Sequence, residues 1–239
     1  MVNIFPDVNS VIEGAAKLVV ARSQESIQQS GRFSLVLSGG SSPKKLHELL
    51  TTPAYRNQVQ WDKVFFFFGD ERYVPADHPD SNYLMAKKTL FEPLNINESQ
   101  VFRMNTSLAP EAAALAYEND INGYFADKPS RFDLVILGIG DDAHTASLFP
   151  GTSVLQEKTA PVKSLFIEKV KMFRITLTAP LINKAAHVAF LVYGASKAPA
   201  VHHIIEGERD INQYPAQLVS PAKGDLSWFL DEAAAANLK

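Results

Sequence analysis

Three runs, Phe33-Ser34-Leu35-Val36-Leu37, Val64-Phe65-Phe66-Phe67-Phe68 and Phe132-Asp133-Leu134-Val135-Ile136-Leu137, are largely apolar, and each stops at or just before a glycine. They lack the strict apolar–polar alternation of a half-exposed strand, so they read as strands buried on both faces of a sheet. His187 to Tyr193 repeats the pattern and ends at Gly194-Ala195-Ser196-Lys197. Val162 to Ile167, Phe173 to Leu177 and Leu226 to Leu230 complete the predicted strands. Helical periodicity fills the intervals. Asp7, Asn9 or Ser10 caps a helix through Val8, Ile12, Ala15, Val19 and Ile27 that ends before Gly31. Further helices are predicted after Pro43, from Asn82 to Leu90 with Ser81 as cap and Pro93 as stop, from Pro110 to Ala126, after Thr178-Ala179-Pro180, and from Lys197 to about Glu206. An alanine-rich helix over Asp231 to Leu238 closes the chain. Strands and helices alternate, which predicts a mostly parallel sheet with helices on both faces. No repeat or composition break divides residues 1–239, so one domain is expected, with room for a local insertion between Ser153 and Lys171.

Composition narrows the function. The chain is 46% hydrophobic and 21% charged, with net charge −3. Acids and bases are mixed along it, which points to no nucleic-acid or membrane surface. There is no cysteine, so disulfides, thiolate metal sites and cysteine nucleophiles are excluded. Met1 to Asp7 has no basic stretch leading into an apolar core, and the expected setting is cytoplasmic. His202 and His203 are adjacent, about 100° apart on a helix, and no His-Glu-x-x-His pattern exists, so no metal site is expected.

The chemistry collects where predicted strands end. Ser38-Gly39-Gly40-Ser41-Ser42-Pro43-Lys44-Lys45 joins a strand to a helix N-terminus, where backbone N–H groups and the helix dipole face an anion such as phosphate. The spacing is neither that of a Walker loop nor of a dinucleotide fingerprint, and a tight turn without ligand is the simpler alternative. Gly69-Asp70-Glu71-Arg72 follows the second strand. Arg72 can grip phosphate with two donors while Asp70 or Glu71 orients it, or the three can form a surface ion pair. Gly138-Ile139-Gly140-Asp141-Asp142-Ala143-His144-Thr145 follows the third. There Asp142 and His144 lie just beyond a strand's carboxyl end, the usual place for ligands in open α/β sheets. Arg174, inside a strand, is either solvent-facing or a second phosphate clamp.

These loops agree with one family. Ser38-Gly39-Gly40-Ser41-Ser42-Pro43, Gly69-Asp70-Glu71-Arg72-Tyr73-Val74-Pro75 with Ser81-Asn82, and Gly138 through His144-Thr145-Ala146-Ser147-Leu148-Phe149-Pro150-Gly151 resemble the 6-phosphogluconolactonases. Arg174-Ile175-Thr176-Leu177-Thr178, Lys197-Ala198 and Trp228-Phe229-Leu230-Asp231-Glu232-Ala233-Ala234 look like the same family, in order over nearly the whole chain. The resemblance implies a Rossmann-like three-layer α/β/α fold shared with glucosamine-6-phosphate deaminases. It also implies hydrolysis of 6-phosphogluconolactone to 6-phosphogluconate in the pentose phosphate pathway, without a cofactor. Carried over, His144 becomes the general base with Asp142 beside it. Gly39, Gly40, Ser41, Ser42, Asp70, Arg72, Arg174 and Lys197 become substrate ligands, with the two arginines on the phosphate. The partner is a phosphosugar lactone, and nothing demands more than a monomer, although a homo-oligomer stays open.

Two positions depart from the family: Ser42 stands for threonine and Ala143 for glycine. Alanine fits without strain only if that position avoids a positive φ. Three alternatives remain. Ser147 as nucleophile lacks a Gly-x-Ser-x-Gly setting. A deaminase resembles His-Ile-Ala-Phe-Asn-Glu-Pro, where this chain has His144-Thr145-Ala146-Ser147-Leu148-Phe149-Pro150 without the acid. A non-catalytic sugar-phosphate sensor would keep the arginines and the glycine loop.

Overall fold

A computed structural model describes residues 1–126 and 128–239. Six strands, β1 (Val2–Phe5), β2 (Phe33–Leu37), β3 (Val64–Phe68), β5 (Leu134–Leu137), β8 (His187–Val192) and β9 (Asp225–Asp231), form one sheet in the order β1-β9-β8-β5-β2-β3. Every pairing within it is parallel. Every residue of β2 and β5 is buried, as predicted, whereas β3, whose apolar run reads as a central strand, lies at the sheet edge with Phe65 half-buried. Helices cover the sheet, including α1 (Val8–Ser30) and α2 (Ser41–Leu50). Asp7 caps α1 by accepting from the Ser10 N–H, and Gly31, at φ 77°, ends it in the left-handed conformation. Among the described residues no helix is long and apolar enough to cross a membrane.

A second, three-stranded antiparallel sheet, β4 (Asp70–Arg72), β7 (Met172–Leu177) and β6 (Val162–Ile167), stands beside the first. This corrects the expectation that Asp70 to Arg72 is loop. Gly69 links the sheets, donating its N–H to the Leu37 carbonyl of β2 and accepting from the Leu177 N–H of β7, both at 2.8 Å. Three charged residues read as a loop because strand propensity is set by what covers a strand, and here the cover comes from about a hundred residues away. Tertiary context also overturns three smaller expectations. Val2–Phe5, with no predicted structure, is an edge strand on β9. The helix from Asn82 runs past Leu90 to Leu94 through a wide π turn at Lys87–Phe91, which leaves Pro93 at the start of a final turn. Residues 232–237 are turns rather than helix, because the Asp231 carboxylate binds the N–H groups of Gly194 and Ala234 and folds the tail back.

The order β1-β9-β8-β5-β2-β3 reverses direction between β2 and β5. Strands added after β2 go to one side and those after β5 to the other, which opens a crevice beyond their carboxyl ends. Ser38 bridges its floor, donating from Oγ to the Ile136 carbonyl at 2.6 Å.

His47 lies on α2 with its side chain sealed and its Nδ1 3.0 Å from Thr89 Oγ1. Burial pushes its pKa from 6.5 down to about 4. Between those values the unfolded chain binds more protons than the fold, so stability falls as pH drops through this window and is constant above it. Urea unfolding is expected to show roughly 2 kcal/mol less stability at pH 5 than at pH 7.5 from this group alone. His47→Gln should flatten that slope, and an equal slope in both proteins would refute the assignment.

Candidate active site

The loops after β2 and β5 meet β4 and β7 around a cavity of about 340 Å³, lined among others by Gly39, Gly40, Arg72, Gly140, His144 and Arg174. Its size suits a phosphorylated sugar.

On one wall, His144 Nδ1 lies 2.5 Å from Asp142 Oδ1, and Lys169 Nζ donates to Asp142 Oδ2 at 2.6 Å. Burial alone would raise the Asp142 pKa, but the bonds from His144 and Lys169 outweigh it and hold the carboxyl well below its ordinary value. An ionised carboxylate only accepts, so Nδ1 carries a hydrogen, and in the neutral imidazole Nε2 is then the nitrogen with the lone pair. The imidazole stacks on Phe149 with centroids 3.9 Å apart. Gly140 must be glycine here, because a Cβ would lie 2.1 Å from His144 Nδ1. Ala143, in contrast, has φ 60°. The left-handed backbone that glycine would take freely is held here by alanine, with strain of order 1–2 kcal/mol. Bonds from the Ala143 N–H to Gly140 and from the Ala216 N–H to the Ala143 carbonyl fix it. Ala146, at φ 47°, is the second left-handed residue of this loop.

On the opposite wall, Arg72 of β4 faces Arg174 of β7 in direct register. Arg72 donates one terminal nitrogen to the Asp80 carbonyl at 2.7 Å, and Arg174 reaches only to 4.0 Å from Asp70 Oδ2. The Nε atoms of both are buried without a partner. Burial lowers the Arg174 pKa, nearby Asp70 opposes this, and Arg72 adds to the lowering. Two like charges with unused donors on one cavity wall make an anion site.

The glycine loop completes the cavity. Gly40, at φ 104°, precedes α2, and no side chain caps the helix there. The first N–H groups of α2 therefore have no partner within the helix. Gly39 is packed so closely that a Cβ would lie 1.9 Å from Asn82 Oδ1. Asn82 in turn donates to the Asp70 carbonyl at 2.8 Å. Glu71, almost fully buried, accepts from the N–H groups of Arg72, Asn82 and Tyr83 and from Ser81 Oγ, and so shapes the Arg72 loop from behind.

Of the residues expected at the site, His144, Gly39, Gly40, Asp70, Arg72 and Arg174 line the cavity, and Asp142 stands behind His144. Asp70 is turned inward, its Oδ2 accepting from Ser147 Oγ at 2.6 Å. That bond also occupies the Ser147 hydroxyl, which is fully buried, so the nucleophile alternative loses its support. Ser41 and Ser42 form the first turn of α2 without lining the cavity. Lys197 is likewise off the lining, its Nζ donating to Asp141 Oδ1 at 2.7 Å. Two neighbours of the site were not singled out from sequence. Phe149 lay inside the third motif, so proximity alone could have flagged it, whereas Lys169 comes from a hairpin turn with no motif of its own.

The fold and cavity together define an α/β protein with a parallel main sheet, whose crevice at the switch point is lined by two arginines and a histidine paired with an acid. The chain belongs to the glucosamine-6-phosphate isomerase/6-phosphogluconolactonase family, whose model matches residues 6–228. It is 41% identical over 243 residues to a 6-phosphogluconolactonase of Synechocystis sp., covering 100% of this chain and 98% of that one. It is 39% identical over 241 residues to a 6-phosphogluconolactonase of Nostoc sp., covering 99% and 98%. Among solved structures, 6-phosphogluconolactonase from Trypanosoma cruzi matches with a TM-score of 0.89 at 30% identity, over 100% of this chain and 96% of the other.

Proposed function

We propose that the protein is a carboxylic ester hydrolase that opens 6-phospho-D-glucono-1,5-lactone to 6-phospho-D-gluconate, the lactone step of the oxidative pentose phosphate pathway. One observation carries the assignment of roles: Arg72, Arg174 and His144 line the same cavity. Phosphate sits on Arg72, Arg174 and the N-terminus of α2, which places the lactone carbonyl toward His144 and contributes by orientation. Nε2 takes a proton from water as the water oxygen bonds to C1. The C1–ring-oxygen bond then breaks, and the same proton goes to the leaving alkoxide. Asp142 fixes the tautomer and stabilises the imidazolium that forms between the two steps. The product acid ionises and releases one proton to solvent. The reading takes the enzyme as cytoplasmic and free of cofactor, and the activity named for its relatives supports it.

Acid release from freshly generated lactone near pH 7, corrected for spontaneous hydrolysis, tests the proposal. Hydrolysis well above the blank is expected, with no ammonia from glucosamine 6-phosphate. Hydrolysis at the blank rate would overturn it, and binding of sugar phosphates without turnover would then establish a sensor.

A further inference from the structure

We propose that Lys169 is a positioning residue of the Asp142–His144 pair, holding the carboxylate oxygen that His144 leaves free and so setting the pH range in which His144 is an available base. The inference deepens the lactonase reading and, for its catalytic readout, rests on it.

Lys169 reaches the site from outside the three sequence motifs. It sits on the turn Glu168–Val170 between β6 and β7, which Lys171 closes in the left-handed conformation at φ 49°. A Lys171–Glu168 ion pair staples the turn from the solvent side. β7, leaving the turn, carries Arg174 to the anion wall. One hairpin thus delivers a cation to each wall of the cavity.

The Lys169 contact is selective. Asp142 has two carboxylate oxygens. Oδ1 is taken by His144 and Oδ2 by Lys169. With only His144 bound, the carboxylate could rotate and present either oxygen. With both engaged, its plane is fixed and with it the imidazole. Lys169 and Phe149 line both the site cavity and a neighbouring groove of about 760 Å³, and Asp142 lines the groove alone. The ion pair therefore stands in the partition between the two spaces, where loss of the lysine would admit water behind the histidine.

The charge acts in the same direction. The groups facing His144 are Asp142 from its own loop, Lys169 from the hairpin turn, and Arg72 and Arg174 from β4 and β7, with Asp70 beside Arg174. Asp142 favours the imidazolium. Lys169 offsets that influence at the carboxylate itself. The lysine is largely exposed, so solvent screens part of the effect.

The test uses the full chain, with Lys169→Met and Lys169→Arg beside the wild type. The His144 ring-proton resonance is titrated by NMR without substrate, and the pH profile of lactone hydrolysis is measured in parallel. In Lys169→Met the His144 midpoint and the acid limb of kcat/KM are expected to rise together by about half a pH unit. KM should stay within threefold, and Lys169→Arg should restore the wild-type midpoint. An unmoved midpoint in Lys169→Met would overturn the proposal, as would a raised KM with an unshifted acid limb, which would make Lys169 a substrate ligand instead. If the wild type proves not to hydrolyse the lactone, the lactonase reading fails while the NMR titration still decides the role of Lys169.

Discussion

Replacing His144 with alanine is expected to lower kcat for lactone hydrolysis by about 10²–10⁴-fold while leaving KM within a few fold of the wild type. The split follows from where the side chain stands. His144 touches Asp142 and Phe149, and the arginines and glycine loop that the proposal assigns to phosphate lie on other elements. Removing the imidazole takes away the lone pair that accepts the water proton and later returns it to the ring oxygen. It removes no donor to phosphate. The fold should survive, because the ring is part-exposed and the loop is held by backbone bonds from Gly140 to His144 and from Ala216 to Ala143. Steady-state kinetics on freshly generated lactone, with circular dichroism to confirm folding, would check this. A folded variant within tenfold of the wild-type kcat would remove His144 from the role of base.

The legibility of this protein divides along the range of the interactions involved. β2, β3 and β5 could be read because a doubly buried strand must be apolar over its length, a property of five or six consecutive residues. The cap at Asp7 and the stop at Gly31 are equally local. The strand Asp70–Arg72 was not legible, since nothing in Asp-Glu-Arg favours a strand until β7 arrives to pair with it. The same holds for the tail after Asp231, where alanines with good helix propensity are overruled by one carboxylate that binds Gly194 and Ala234. At the site, the family resemblance supplied the roles and the structure supplied the partners. Asp70, expected as a ligand, lines the cavity with Oδ2 bonded to Ser147. Lys197, also expected as a ligand, is paired with Asp141. The conditional expectation for Ala143 resolves to strain, because its φ is positive.

Arg174→Met should separate binding from chemistry in the opposite sense to His144→Ala. KM for the lactone is expected to rise by about 10–100-fold, the loss of one or two charge-assisted hydrogen bonds to phosphate at about 1.5–3 kcal/mol. kcat should fall far less, because His144 and Asp142 are untouched. Arg174 is the more informative of the two arginines. Arg72 already gives one donor to Asp80, whereas the Arg174 ion pair with Asp70 spans 4.0 Å and its Nε has no partner among the described residues. A guanidinium that burial penalises and that lies in register with another cation is costly in the empty protein. Its retention is explained if an anion completes the cluster. Two consequences can be measured together. Inorganic phosphate should inhibit the wild type competitively, and its inhibition constant should weaken in Arg174→Met by about the same factor as KM. Arg174→Lys should recover only part of either loss, since an ammonium keeps the charge without the planar fork. If KM and phosphate inhibition are both unchanged in a folded Arg174→Met protein, the phosphate does not bind between β4 and β7, and the substrate orientation proposed for His144 falls with it.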